Sequence, residues 1–224
     1  MSVFDIDFFL NLFPLMSKYL LVTFKISIYS LIIGFSIAVV MCLAIHMNLK
    51  FITWIIKIWI SFFRATPLIA QLFFFYFGVV QVFPFLTSMS SFTAAVITLG
   101  FNSSAYMAES LRGALLSVDK GQMEASLSLG MTYFQSMKSV ILPQAIRVAI
   151  PSLFNSFCDI VKGSSLAFTI GVTEIMAVAQ MEGSSAYRFF ESFSAVIIMY
   201  WIIISLLTYM QTKLERRLSL SYCL

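Results

Sequence analysis

Apolar residues run along this chain in long blocks, and the short stretches between the blocks hold most of the charge. A helix needs about 20 predominantly apolar residues to cross the hydrocarbon core of a bilayer. Five blocks reach that length, near 19–45, 65–84, 92–111, 147–169 and 190–210. The pattern predicts an all-α integral membrane protein, with five transmembrane helices in a single transmembrane domain over 1–224. Thr66 and Pro67 mark the start of the second block, with Thr66 as helix cap and Pro67 at the first helical position, where its missing N–H costs nothing. Just before it, Phe51–Arg64 sets Trp54, Ile58, Trp59 and Phe62 among Lys57 and Ser61, the mixture of a helix lying at the interface. Residues 1–18 read as a short interfacial segment, the piece itself ending near Pro14, with no basic start that would mark a secretory signal.

Composition narrows the class. Of the 224 residues 60% are hydrophobic and only 11% charged, against about 25% charged in a soluble domain. That leaves too little polar surface to cover a water-soluble fold. The 24 Phe, 13 Met and five Pro suit neither a disordered nor a fibrous chain. The formal charge of +4 comes from sparse residues beside apolar runs, so it points to membrane topology and not to nucleic acid. Cys42, Cys158 and Cys223 lie far apart and support neither a disulfide framework nor a metal site. His46 is the single histidine and suggests no ligand cluster.

An odd number of spans puts the termini on opposite sides. With the N-terminus outside, the interior receives Lys50, Lys57, Arg64, Arg112, Lys120, Lys138, Arg147, Lys213, Arg216 and Arg217. The exterior keeps Lys18 and Arg188, while Lys25 and Lys162 fall within spans. This asymmetry follows the positive-inside rule and places the C-terminus in the cytoplasm. No internal repeat is visible, and five helices make a meagre enclosure for a path, so a dimer with the path at its interface is the simplest architecture.

The longest interior segment, 117–143, reads as two short helices. Asp119 caps the first, Gly130 takes the left-handed position at its end, and Thr132 with Gln135 forms a capping box for the second, which Pro143 kinks or ends. Met123, Leu127, Met131 and Phe134 are apolar groups on a loop outside the bilayer. They can pack back on the bundle or dock a soluble partner as a helix in a groove, and the residues alone leave both open.

Glu124-Ala125-Ser126, Gly130, Val140 and Leu142-Pro143 keep the spacing of the "EAA" loop of bacterial ABC-importer permeases, with Ser126 and Val140 as mild departures. Arg64-Ala65-Thr66-Pro67-Leu68 with Gln71-Leu72-Phe73-Phe74 resembles a signature of the polar-amino-acid branch, and so does Ala105-Tyr106-Met107-Ala108-Glu109 with Arg112-Gly113. Lys120-Gly121-Gln122, Leu142-Pro143-Gln144-Ala145, Lys162 with Ser164-Ser165-Leu166, and Ile170-Gly171-Val172-Thr173-Glu174 also fit, in order, from about residue 19 onward. The resemblance implies a type I permease fold in a bacterial inner membrane. It also implies a second permease copy or paralogue, two cytoplasmic ATP-binding subunits, and an extracytoplasmic binding protein that delivers a polar amino acid. It further implies that Glu124, Ala125, Ser126, Gly130, Met131 and Phe134 carry the contact with the ATPase. ATP and Mg are expected on that partner, since this chain has no GxxxxGK[ST] loop.

Ionisable groups deep in a bilayer are costly and should face protein or a watery path. Thr98, Asn102, Ala105, Glu109 and Arg112 form one stripe of the third span, and Ser152, Asn155, Asp159 and Lys162 one of the fourth. Glu109–Arg112 and Asp159–Lys162 can each be an internally satisfied i,i+3 pair. Asp159 and Lys162 can instead meet the ammonium and carboxylate of an amino acid, with Gln71, Asn102 and Asn155 as further path candidates. The small stripe Thr23, Ser27, Ser30, Gly34 reads as helix packing. The exterior stretch 171–189, with Glu174, Gln180, Glu182 and Arg188, reads as part of an outer gate or as an ordinary solvated loop. A stand-alone channel or carrier, or a scaffold without transport, are the competing classes. A membrane enzyme fits least, because no nucleophile–base or metal-ligand cluster appears.

Overall fold

The computed structural model describes residues 4–47 and 49–220, the last four of these by backbone only; Cys223 and the side chain of Arg217 lie outside that part. Among the described residues there are helices and no strands. The long ones are α2 (Leu20–His46), α6 (Ser91–Leu116), α9 (Leu142–Gly163) and α11 (Phe189–Leu220). Between them come α1 (Ile6–Ser17), α3 (Lys50–Ala65), α4 (Leu68–Phe73), α5 (Val79–Val82), α7 (Lys120–Ser128), α8 (Tyr133–Ser136) and α10 (Ile175–Ala186).

By length and apolar content three helical stretches can cross a membrane: Leu20–His46, Tyr133–Ile170 and Phe189–Arg216. A fourth is reached if α3 and the Leu68–Val82 rod, bent by 111° at Thr66–Pro67, count as one span. Helix α6 is long enough, at about 39 Å for a rise of 1.5 Å per residue, but Thr98, Asn102, Ser103 and Ser104 make it more polar than the others. It tolerates them because it is wrapped in protein. Thr98 and Ser104 are fully buried, and their hydroxyls return to the α6 backbone carbonyls of Ala94 and Phe101. Helices α2 and α11, by contrast, expose Ile28, Ile32, Val40, Ile197, Trp201 and Leu206 outward. Surface of that kind belongs against lipid tails.

Three apolar clusters hold the body together. One gathers Leu12, Met16, Val161, Ile175, Val178 and Met199 from α1, α9, α10 and α11. The other two surround α6: Ile26, Leu72 and Leu99 on one side, Met41, Ile60, Phe63 and Met107 on the other. The N-terminal piece is therefore more than an interfacial strip. Helix α1 runs through Pro14 to Ser17, and Leu12 and Met16 are sunk into the first cluster. Pro14 lies exposed inside α1, where its missing N–H leaves the Leu10 carbonyl without its helical donor.

The elbow at Thr66 also differs from its expected chemistry. Pro67 is the N-cap of α4, so the helix starts one residue later than predicted, and its first turn has no side-chain cap. The Thr66 hydroxyl donates back to Phe62 O at 2.8 Å and accepts from Gln71 Nε2 at 2.8 Å. It serves the bend and not the helix start. The predicted packing stripe does face protein: Thr23, Ser27 and Ser30 are fully buried, and Ser30 Oγ donates to Val96 O on α6.

A Cβ at Gly34 would lie 2.3 Å from Ser103 Oγ and 2.9 Å from Gly100 O. The serine can turn away, but the carbonyl belongs to the α6 backbone and cannot. Gly34→Val is expected to destabilise the bundle by about 1–3 kcal/mol, read as a lower thermal midpoint of the detergent-solubilised protein. An unchanged midpoint would contradict this backbone approach.

Candidate functional site

The segment 117–143 folds as a capped, glycine-turned helical hairpin. Asp119 Oδ1 accepts from Gly121 N at 2.6 Å to open α7. At its end Gly130 has φ +84°, its N–H reaches Leu127 O, and the N–H of Met131 reaches Ser126 O. These two bonds make a Schellman turn, which needs a left-handed residue. No atom crowds the position, so backbone conformation and not space calls for glycine there. Thr132 and Gln135 then form a capping box, with Thr132 N–H donating to Gln135 Oε1 at 2.8 Å.

Pro143 neither ends nor sharply kinks the second helix, contrary to expectation. A π turn over Met137–Ile141 precedes it, and Pro143 falls in the first turn of α9. There its missing N–H and its ring are accommodated. The run Tyr133–Ile170 is thus one helical unit. Ser126 is buried and closes on Met123 O, whereas Glu124, Ala125 and Gly130 are exposed and Met131 is half-buried. Leu129 and Phe134 stand out at 84% and 74% exposure, a large apolar tip for a loop otherwise rich in polar residues.

A second feature lies along the same long helix. A cavity of about 280 Å³ between α4, α6 and α9 is lined by Asn102, Ser103, Tyr106, Ser156 and Asp159 among Leu68, Leu99 and Ile160. This is just below the roughly 300–1,000 Å³ of small-molecule sites. Asp159 Oδ1 meets Lys162 Nζ at 2.7 Å, and both side chains remain more than half exposed on α9. Asn155 is exposed on the same flank. Arg64 lies over the ring of Tyr106 at 5.6 Å, bringing a cation to the cavity wall.

Gln71 is elsewhere. It is 3% exposed, and its Nε2 lies within bonding distance of Phe63 O, Thr66 O and Thr66 Oγ1. Its Oε1 accepts from Asn102 Nδ2 at 2.9 Å. Gln71 fastens the α3–α4 elbow to α6, and Asn102 bridges that fastening to the cavity. The Glu109–Arg112 pair is closed within α6 at 2.6 Å.

The stripe read on α6 is rotated from the one that faces the cavity. Leu99, Asn102, Ser103 and Tyr106 follow i, i+3, i+4, i+7, whereas Thr98 and Ala105 turn into the body. Tyr106, Ser103 and Ser156 were missed. The available signal was a step of four from Asn102, which leads to Tyr106.

The segment 171–189 is no solvated loop. It forms α10, and Glu174 at its head is fully buried, accepting from Ala177 N at 2.9 Å and from Tyr200 OH at 2.9 Å. Burial pushes its carboxyl up to about 7 against the pull of these donors. At the far end, Arg188 joins Asp5 at 3.0 Å and Glu191 at 2.9 Å, tying α1 to the α10–α11 corner.

Comparison with known proteins sets these features in a family. The family described as "Binding-protein-dependent transport system inner membrane component" matches residues 40–220. The chain is 48% identical over 219 residues to the probable amino-acid ABC transporter permease protein PatM of Vibrio harveyi, covering 98% of each chain. It is 40% identical over 222 residues to the probable amino-acid permease protein YxeN of Bacillus subtilis (strain 168), covering 99% of each. The solved structure of an amino acid ABC transporter with histidines superposes at a TM-score of 0.89 with 34% identity, over 97% of this chain and 100% of that one. With an all-helical membrane body and relatives that are permeases and not enzymes, the chain belongs to the binding-protein-dependent transport system inner membrane components, as a permease subunit of an ABC importer.

Proposed function

We propose that this permease moves a polar amino acid across a bacterial cytoplasmic membrane by alternating access, as one of two permease subunits driven by two cytoplasmic ATPase subunits. Five spans carry it: α2, the elbow rod α4–α5, α6, α9 and α11, with the N-terminus outside and the C-terminus inside. Helix α6 counts as a span because its polar groups are met by protein. The hairpin 117–143 is the cytoplasmic coupling site, with Glu124, Ala125, Gly130, Met131 and Phe134 toward the ATPase and Ser126 bracing the turn from within. This chain binds neither ATP nor Mg; both belong to the partner.

The observation that carries this reading is the continuity of Tyr133–Ile170. A single helical run, through the π turn at Met137–Ile141 and past Pro143 and Pro151, links the exposed apolar tip at Phe134 to Asp159 at the cavity wall, so a push at the tip is carried to the wall along one continuous helix. The exposed Asn155, Asp159 and Lys162 flank, with half-buried Ser152 at its edge, supports a second copy beside α9, since a charged pair on a spanning helix is costly against lipid. Asp159 then meets the substrate ammonium and Lys162 its carboxylate, each exchanging a mutual contact for one with the substrate. A binding protein delivers the amino acid from outside. Similarity to amino-acid permeases supports the substrate class, and an intramembrane acid favours a cationic member.

Two measurements test this. Asp159→Asn removes one charge-assisted bond, about 1.5–3 kcal/mol, and should weaken substrate binding by the assembled complex roughly ten- to 150-fold. Unchanged affinity and uptake in a folded complex would contradict the role. Gly130→Ala forces a side chain into a left-handed position at about 1–2 kcal/mol. It is expected to reduce co-purification with the ATPase and ATP-driven uptake in proteoliposomes, with the strain released by local opening of the exposed hairpin turn while the bundle of the isolated permease stays folded. Intact coupling in that variant would argue against the hairpin as the force-bearing contact.

A further inference from the structure

Glu174 is the one carboxyl among the described residues that is wholly enclosed by protein, and transport as read above makes no use of it. Its two oxygens are divided between two helices. Oε1 accepts from Ala177 N in the first turn of α10, and Oε2 accepts from Tyr200 OH on α11. The hydroxyls of Ser164, after α9, and Thr23, on α2, face the same phenol. That of Thr23 is buried and completes no hydrogen bond in this state. Two helices therefore meet at one acid, at the head of the helix that joins the last two long stretches, and α2 and the turn after α9 face its phenol partner.

Other titratable groups on the elements around α10 are engaged away from it. Asp5 on α1 and Glu191 on α11 are taken by Arg188 at the opposite end of α10. Asp7 on α1 and Lys25 on α2 make no bond to Glu174, and Tyr200 is the titratable side chain bonded to it.

We propose that Glu174 is a positioning residue for transport: it pins the head of α10 to Tyr200 in the packed state, and lifting α10 to open the outer side hydrates it and releases the pin. The proposal rests on the topology above only for the side from which α10 opens. The carboxyl carries no charged partner, and burial holds its proton up to about 7, above its ordinary 4.5. The packed state thus binds a proton more readily than the opened, hydrated state, which gives it up to the solvent on that side. A folded-state value that is raised means the preference for packing is full below about pH 4.5 and is lost as pH rises through about 7. Within that window the ratio of opened to packed protein rises by up to about tenfold per pH unit.

The test uses the complete complex in proteoliposomes and in detergent. In wild type the thermal midpoint should fall between pH 5 and 7.5, and uptake should change over the same range of external pH. Glu174→Gln keeps the acceptor for Ala177 N–H but cannot ionise, so it should flatten both profiles. Tyr200→Phe removes a donor that favours the ionised form, so it should move the transition to higher pH. It provides a second reading if the glutamine variant fails to assemble. A glutamine variant that merely lowers the midpoint and keeps the wild-type pH slope, or a phenylalanine variant with no displacement of the transition, overturns the proposal. A Glu174-dependent profile that follows internal pH instead leaves the pin standing and refutes the topology.

Discussion

The rest of the structure depends on the intolerance of hydrocarbon for unpaired polar groups. Inside a bilayer water is not available to satisfy an amide, a hydroxyl or a carboxylate, so each must be bonded within the protein or set beside a wet path. Helix α6 displays the first solution. Its serines, threonine and asparagine would be poor residues for a helix facing lipid, yet Trp59, Gln71, the Phe63 carbonyl and the helix's own carbonyls account for Thr98, Asn102, Ser103 and Ser104. The flank of α9 that holds Asp159 and Lys162 displays the second. Those side chains are paired with each other but uncovered, and such a surface requires a neighbour or water.

From that constraint comes a division of labour. One half of the body, built on α2, α3, α4 and α6, is fastened by small residues and by the Gln71 network at the elbow. The other half, α1, α10 and α11, is tied within itself by the enclosed acid at Glu174 and is joined to the first chiefly through α9. The long helical unit Tyr133–Ile170 runs between the halves, with its hairpin end capped by the Thr132 box and the Gly130 turn. A π turn lets Pro143 enter this unit without breaking it. Stiffness matters here, because work done on a coupling loop is transmitted only as far as the helix remains unbroken.

Much of this was legible in the sequence. Long apolar blocks located the main helices, most closely α2, because burial in lipid imposes a length that soluble folds lack; the ends of α6, α9 and α11 run several residues beyond the blocks. The hairpin was legible because its turn and cap chemistry is local: a glycine for a left-handed angle, a threonine and glutamine three apart. What failed was non-local. Thr66 looked like a cap, and only the elbow shows that its hydroxyl is used by Phe62 and Gln71. Gln71 looked available for substrate until the α3–α4 bend was seen to consume its amide. The face of α6 was misjudged by one helical position, since Thr98 and Ala105 fit a polar stripe as well as Ser103 and Tyr106 do. Glu174 lay in a segment of mixed charge whose helix packs against α1 and α11, contacts that no window of sequence records.

The central claim is that the exposed tip of the hairpin bears on an ATPase and drives the cavity wall through an unbroken helix. The most direct measurement is cysteine cross-linking from Leu129→Cys and Phe134→Cys in the assembled complex, read with and without ATP, alongside spin-label distances from position 134 to a site beside Asp159. The account predicts cross-links to the ATPase subunit from both positions and a distance that holds constant while the complex cycles. Cross-links confined to lipid or to the binding protein, or a distance that changes with nucleotide, would contradict it.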